Sequence, residues 1–215
     1  DHVPIQGLGW QVLTSTFGPD GRLFFTLWKP RGNRSQLWAL QGKKETTGMM
    51  EVKALLAKGF SSYRVDQLLS FLGHADRRIR LESQFELANR KETKSLRAKA
   101  IDSKSALLPR LHALWGLGQL KARDRDLLKL ICQDKDAEMR AQAARWAGDL
   151  GFDPDNLVPG LLRDPSPRVR LMAGIACGKL MSKDALEPIS KLIVDAGNKE
   201  TVLRHAGIFG LAGVA

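Results

Sequence analysis

The fold is decided by a short stretch, Asp164-Pro165-Ser166-Pro167-Arg168-Val169-Arg170, which precedes the apolar run 171–180. Two prolines end one helix, and the next helix is predicted to carry an arginine in its first turn. An arginine recurs at this place along the chain. Arg80, Arg110, Arg140 and Arg170 follow one another at intervals of 30 residues, and Arg204 comes 34 residues later. A fixed interval of roughly 20 to 50 residues indicates a stacked repeat protein.

The helical pattern begins at Ser62 and continues to the last residue. Apolar residues at spacings of three and four predict a first helix in each of five repeats. These first helices are predicted over 65–72, 93–101, 126–132, 156–162 and 185–194. A second helix follows each repeating arginine. The pattern therefore predicts about five helical hairpins.

Positions in the second helices are counted from the repeating arginine. Positions −1, +3 and +7 lie on one helical face, and in all five repeats they hold apolar or small residues. Positions +3 and +8 are always small. The residues at +8 are Ala88, Gly118, Gly148, Gly178 and Ala212. Because short side chains do not hold two backbones apart, we expect neighbouring helices to approach closely there.

Residues 1–42 have a different pattern. Two runs rich in β-branched and aromatic residues, 10–16 and 23–28, flank the turn sequence Gly18-Pro19-Asp20-Gly21 and predict a hairpin. A third strand is predicted over 35–40. Residues 43–61 are interpreted as a linker with a short helix over 49–58. The predicted fold is mainly α, with helical repeats over 62–215 preceded by a small β-hairpin or sheet segment.

The repeats resemble the HEAT-repeat family, which has an armadillo-type fold. The resemblance rests on an acid four residues before the repeating arginine, followed by small residues. The matching pairs are Asp76 with Arg80, Asp136 with Arg140, and Glu200 with Arg204. Ala106 and Ser166 depart from this pattern. The resemblance implies a right-handed α-solenoid whose second helices line the concave surface, and an acid–arginine contact in the repeats that keep the acid.

A wider resemblance includes the β segment. A hairpin with Gly-Pro-Asp-Gly-Arg-Leu-Phe that ends in Leu-Trp, followed by HEAT-like repeats, is similar to the PVC-type haem-binding, membrane-bound-dehydrogenase-like bacterial proteins. The resemblance implies that residues 10–28 are the last blade of an upstream β-propeller, and that a cytochrome c module follows. The chain has no Cys-x-x-Cys-His, so we expect no haem on it and predict no cofactor. Both ends are interpreted as cut ends of a longer protein.

The net charge of +11 is unevenly distributed, since residues 61–123 contribute +7 and residues 124–215 contribute none. The positive charge is densest in a basic patch formed by Arg90, Lys91, Lys94, Arg97, Lys99 and Lys104. Such a patch attracts nucleic acid, anionic lipid or an acidic protein. We favour a solvated helix face, because no aromatic residue within the patch offers a stacking platform for bases.

The arginine column, formed by Arg80, Arg110, Arg140, Arg170 and Arg204, supports two interpretations. In the first, each arginine pairs with the acid four residues before it or with an acid of the adjacent repeat, which stiffens the stack. In the second, the guanidinium groups line the concave surface and bind acidic or phosphate partners. We favour the first interpretation.

The sequence shows no catalytic or metal-binding constellation. It contains no P-loop, no Gly-x-Ser-x-Gly and no histidine with a ligand partner at metal spacing. Cys132 and Cys177 are interpreted as small buried apolar residues. HEAT-like DNA glycosylases have a Trp-lined pocket, but Trp115 and Trp146 lie at different positions, +5 and +6, so no shared pocket is predicted.

We therefore expect a non-catalytic scaffold that contacts a protein partner or neighbouring domains. A nucleic-acid-binding helical repeat protein is the first alternative. The second is the structural part of an extracytoplasmic haem-containing dehydrogenase. No apolar run approaches the ~18 residues of a transmembrane helix. The compartment is periplasmic or extracytoplasmic if the wider resemblance holds, and otherwise cytoplasmic.

Overall fold

The computed structural model describes residues 11–18, 21–29, 34–42 and 46–214. The chain divides into two compact units, Asp1–Ser62 and Tyr63–Ala215. Strands and one helix lie in the first unit, and the second unit is helical. The prediction of a mainly helical chain with an N-terminal β segment is therefore confirmed.

The first unit contains a three-stranded antiparallel sheet in the order β1-β2-β3. Its strands are β1 (Gln11–Phe17), β2 (Leu23–Lys29) and β3 (Arg34–Leu40). Phe25 and Leu27 are buried on the central strand, two residues apart, as expected for one face of a strand. Of the predicted turn, Pro19 and Asp20 lie outside the described residues. Helix α1 (Thr47–Lys58) follows the sheet.

The second unit consists of paired helices in the predicted alternation. The first helices are α2 (Val65–Phe71), α4 (Thr93–Ile101), α6 (Arg125–Cys132), the 3-10 helix Val158–Arg163 and α9 (Leu186–Ala196). The second helices are α3 (Arg77–Asn89), α5 (Leu107–Gln119), α7 (Ala137–Leu150), α8 (Pro167–Leu180) and α10 (Thr201–Val214). Among the described residues, no helix is both long and apolar enough to cross a membrane.

One first helix differs from the prediction. The segment expected to be helical over 156–162 is a 3-10 helix instead, and it begins at Val158. Pro159 supplies no N–H, and Gly160 has a low helix propensity. The Asp153 carboxylate accepts hydrogen bonds from the backbone N–H groups of Leu157 and Val158, which fixes the start of this short helix.

Neighbouring second helices pack in chain order: α3 on α5, α5 on α7, α7 on α8, and α8 on α10. The last two contacts are the closest. A Cβ atom built on Gly148 would lie 2.9 Å from the Cα atom of Ala176, and one built on Gly178 would lie 2.9 Å from that of Gly210. In both cases a glycine at +8 meets a small residue at +6 of the next second helix. The expected close approach at the small positions is therefore present there.

Candidate functional site

The repeating arginine fixes the loop that precedes its helix. The Nη1 groups of Arg80, Arg140 and Arg170 each donate to the backbone carbonyl oxygens six and five residues earlier. The donor–acceptor distances lie between 2.7 Å, for Arg80 to the oxygen of His74, and 3.2 Å, for Arg140 to that of Lys135. The same loop geometry therefore occurs three times along the chain.

The acid four residues before the arginine makes no ion pair with it among the described residues. Asp76 and Asp136 instead cap their helices, by accepting the backbone N–H of Arg78 and Glu138 at 2.8 Å. Carboxylates are preferred at this place because the first N–H groups of a helix have no partner inside it. The acid–arginine contact implied by the family pattern is thus wrong in its spacing. Arg110, whose repeat lacks that acid, still has a carboxylate partner.

The arginine's carboxylate partner comes from the next repeat. Arg110 binds both carboxylate oxygens of Asp134, and Arg140 binds those of Asp164 at 2.7 and 3.0 Å. These ion pairs are largely buried, with Arg110 only 3% exposed in its side chain. The hydrogen bond from Arg140 lowers the pKa of Asp164, and burial only partly opposes it. The adjacent-repeat pairing expected of a stiffening column is therefore observed in these two largely buried pairs, and Arg170 with Glu200 of the next repeat, at 3.8 Å, is a third.

The outer members of the arginine column have other partners. Residue 104, which corresponds to Asp134 and Asp164 one repeat earlier, is a lysine. Arg80 donates from Nε to Nε2 of His112 instead, at 3.1 Å. Arg170 lies 3.8 Å from a Glu200 oxygen, and Arg204 hydrogen-bonds to Asn198. Every arginine of the column is thus engaged within the molecule.

The basic patch is divided between paired and exposed cations. Arg90 binds Glu86 at 2.7 Å and the backbone oxygen of Tyr63, and Arg97 binds Asp124 at 2.7 Å. Lys99 donates to Ser105 at 3.2 Å. The exposed members are Lys91, Lys94 and Lys104. Half of the cations that sequence reasoning grouped together therefore hold parts of the chain to one another.

A cavity of about 650 Å³ lies among the second helices α3, α5 and α7. Both Trp115 and Trp146 line it, so the expectation that they share no pocket is wrong. Trp146, at position +6 of α7, contacts Gly118 at position +8 of α5. In the later repeats the residue at +6 that contacts the glycine is small. The indole holds α5 and α7 apart and leaves a gap between them. By contrast, α7 and α8 pack closely through small residues.

A polar network lies in the wall of the cavity. His112, which is 2% exposed, accepts the Arg80 hydrogen bond at Nε2, and its Nδ1 lies 2.7 Å from Oε1 of Gln84. The ring is therefore the neutral tautomer with its proton on Nδ1, which donates to Gln84. Burial and then the charges of Arg80 and Arg77 lower the pKa of His112 to about 4. Trp115 donates from Nε1 to Gln142 at 2.9 Å.

We expect the stability of this protein to fall as the pH is lowered from 7 to 5, and His112 to account for about 2 kcal/mol of that loss. The unfolded chain binds a proton at this side chain below its ordinary pKa of about 6.5, whereas the folded protein does not until about pH 4. Urea unfolding at both pH values measures the difference. In His112→Gln, whose amide accepts and donates without titrating, the drop is expected to be smaller by this amount. An equal drop in both proteins would contradict the assignment.

The rim of the cavity is apolar and positively charged. Phe85 and Leu108 are each 45% exposed there. Arg77 and Arg145 also line it and are exposed. Among the described residues of the lining, the one acidic side chain is Asp149, which binds Arg145 at 3.3 Å and Lys179 at 2.5 Å. The described lining therefore has an excess of positive charge around an aromatic floor.

No group of three or more histidine, cysteine or acidic side chains that could hold a metal ion occurs in the described part of the chain. Cys132 and Cys177 are buried, as expected. Burial, with a smaller contribution from the charge of Asp153, raises the pKa of each thiol to about 12. Both cysteines are therefore thiols at neutral pH, and the thiolate is the reactive form.

Comparison with models of known protein families and with curated protein sequences gives no match for this chain. The function is therefore inferred from the contacts within the molecule.

Proposed function

We propose that α2 to α10 form a HEAT-like α-solenoid that serves as a non-catalytic scaffold. Its second helices bind a protein partner or a neighbouring domain of the same chain. In such repeat arrays each unit contacts only its neighbours, and the stack presents an extended surface for binding. The cavity among three successive second helices is the observation that carries the proposal.

Contacts between residues one repeat apart support the solenoid. Arg168 lies 3.2 Å from Glu138, and Lys179 lies 2.5 Å from Asp149. Each pair joins residues 30 positions apart, which is the interval of the arginine column. Together with the recurring arginine loop, these contacts favour one structural unit repeated along the chain over an irregular helical bundle.

The cavity supports binding on the second-helix side. Its volume of about 650 Å³ is within the range of ligand pockets, and aromatic residues in a concave site are frequent anchors for protein partners. Solvent-exposed Phe85 and Leu108 stand beside it. The nucleic-acid alternative has less support, because paired side chains make up half of the basic patch and no patch residue belongs to the described lining of this cavity.

The larger-protein alternative is compatible with this proposal. The antiparallel order β1-β2-β3 is the arrangement that strands take within a propeller blade. The scaffold would then lie within an extracytoplasmic haem-containing dehydrogenase-like protein. The sequence that flanks this chain in its gene tests that alternative directly.

Site-specific photo-cross-linking tests the scaffold function. A benzophenone amino acid placed at Leu108, on the second helix α5, is expected to yield discrete adducts with protein in the cell of origin. The matched control is the same amino acid at Leu130, on the first helix α6, because the two leucines are 45% and 50% exposed. Adducts that form equally at both positions, or that nuclease removes, would refute the proposal.

A further inference from the structure

The cavity is built by one side chain that departs from the repeat pattern. Position +6 of a second helix meets a glycine at +8 of the preceding one. That position is Ala176 in α8 and Gly210 in α10, but Trp146 in α7. A Cβ atom built on Gly118 would lie 3.5 Å from Cδ1 of Trp146, which is ordinary van der Waals contact. The indole therefore fills the seam without strain and lines the same cavity as Trp115.

Trp146 has a buried donor with no acceptor among the described residues. Its side chain is 5% exposed, yet Nε1 has no hydrogen-bond partner in that part of the chain. An unsatisfied buried donor is unfavourable by about 1–3 kcal/mol, so proteins rarely keep one without a reason. Trp115, on the same cavity, has its Nε1 satisfied by Gln142. Of the two indoles that line the cavity, Trp146 thus leaves its donor unused inside the packed seam beside Gly118.

The positive charge at the rim of the cavity favours a negatively charged ligand. Arg77 is exposed and makes no hydrogen bond or ion pair within the part of the chain that the structure describes. Arg80 and Arg145 add positive charge, while Asp149 is already neutralised by two cations. A second copy of this chain, with its net charge of +11, is disfavoured as the occupant. An acidic segment complements the rim.

We propose that this cavity binds a peptide segment of a partner protein in which a large aromatic side chain is flanked by acidic residues. The aromatic ring enters between the indoles of Trp115 and Trp146 as the anchor. A flanking carboxylate of the segment pairs with Arg77 at the rim. The inference rests on the proposed scaffold function and names the chemistry of its partner.

Synthetic peptides test this inference on the full chain. The probe is the acetylated, amidated pentapeptide Asp-Glu-Phe-Asp-Glu, with binding followed by calorimetry and by the indole N–H resonances in NMR spectra. We expect the Trp146 indole resonance to shift on titration. Replacing the central Phe by Ala, or all four acids by Lys, is expected to weaken binding at least about tenfold, since each removes an anchor or a charge pair.

Two charge-reversed variants provide the matched comparison. Arg77→Glu is expected to weaken binding about tenfold, because it removes the charge pair. Arg163→Glu reverses an exposed charge outside the cavity and is expected to leave binding unchanged. Trp146→Phe leaves a smaller aromatic surface in the lining of the cavity and is expected to weaken binding severalfold. Arg77 and Arg163 are both exposed, so we expect neither substitution to lower the stability of the fold appreciably.

The inference fails if millimolar peptide leaves the Trp146 resonance in place, or if Arg163→Glu weakens binding as much as Arg77→Glu. It also fails if a single-stranded oligonucleotide shifts that resonance at lower concentration than the peptide. The scaffold function fails separately. If adducts at Leu108 persist in Arg77→Glu and Trp146→Phe, the scaffold function is supported and the binding of an acidic, aromatic segment in the cavity is refuted. If the peptide binds but no adducts form at Leu108, the cavity binds such a segment and the scaffold function is refuted.

Discussion

Asp134→Asn is expected to lower the free energy of unfolding by about 3 kcal/mol, because it leaves the guanidinium of Arg110 buried without a counter-charge. Arg110 is 2% exposed, and its other described contact is the Ala100 carbonyl oxygen, to which Nε donates at 3.0 Å. The amide oxygen of the substituted side chain can still accept the backbone N–H of Asp136, as the Asp134 carboxylate does now. Loss of this loop hydrogen bond therefore does not confound the result. Thermal unfolding measures the change as a fall in Tm of roughly 10 °C.

The matched control is Asp155→Asn. Asp155 also binds an arginine of another repeat, Arg125, but that arginine is 67% exposed. Exposed ion pairs contribute little because water and salt screen them. We expect no measurable change in Tm. Equal losses in the two variants would show that Arg110 is not held by Asp134 in the way its burial implies.

Gly178→Val is expected to separate α10 from α8, with a loss of about 3 kcal/mol or more, at or above the top of the usual range for overpacking. A Cβ atom on Gly178 would lie 2.9 Å from the Cα atom of Gly210 and 3.1 Å from its carbonyl oxygen. Backbone on both sides cannot move aside as a flexible side chain can. Limited proteolysis followed by mass spectrometry is expected to show new cleavage between α9 and α10, together with a lower Tm.

Gly160→Val provides the comparison for this prediction. Gly160 lies in the 3-10 helix, is exposed, and has no described atom within 4 Å of an added Cβ. We expect the same digestion pattern as in the unmodified protein. If Gly178→Val were as stable as Gly160→Val, the close packing of α8 on α10 would be wrong.

The sequence predicts the arginine interval correctly but does not decide between the two acids that each arginine was expected to pair with. Asp136 lies on the same turn of chain as Arg140, which suggests a local pair, yet the N–H groups at the helix start require that carboxylate. The true partner, Asp164, is 24 residues further along the chain. Only stacking of the repeats brings it close. Helical periodicity describes one helix at a time, so it cannot show which loop of the next hairpin faces an arginine.

The cavity escapes sequence-based prediction for a related reason. Trp115 and Trp146 stand at different positions of their helices, but α5 and α7 face one another across the gap, so +5 of one and +6 of the other line the same space. A signal is present at +6, where Glu86, Gly116, Ala176 and Gly210 are the other residues. A tryptophan at a position that is small in three of five repeats indicates a break in the packing. The sequence does not show which side the break opens toward.

The buried ion pairs of the arginine column share one direction, since Arg110 and Arg140 each bind a carboxylate in a loop that comes later in the chain. In each pair, the arginine of one hairpin thus holds the loop that precedes the second helix of the next hairpin. Release of a later hairpin would therefore leave a buried arginine of the preceding hairpin without its carboxylate. We expect α5, α7 and α8 to lose amide hydrogen-exchange protection together and not one helix at a time.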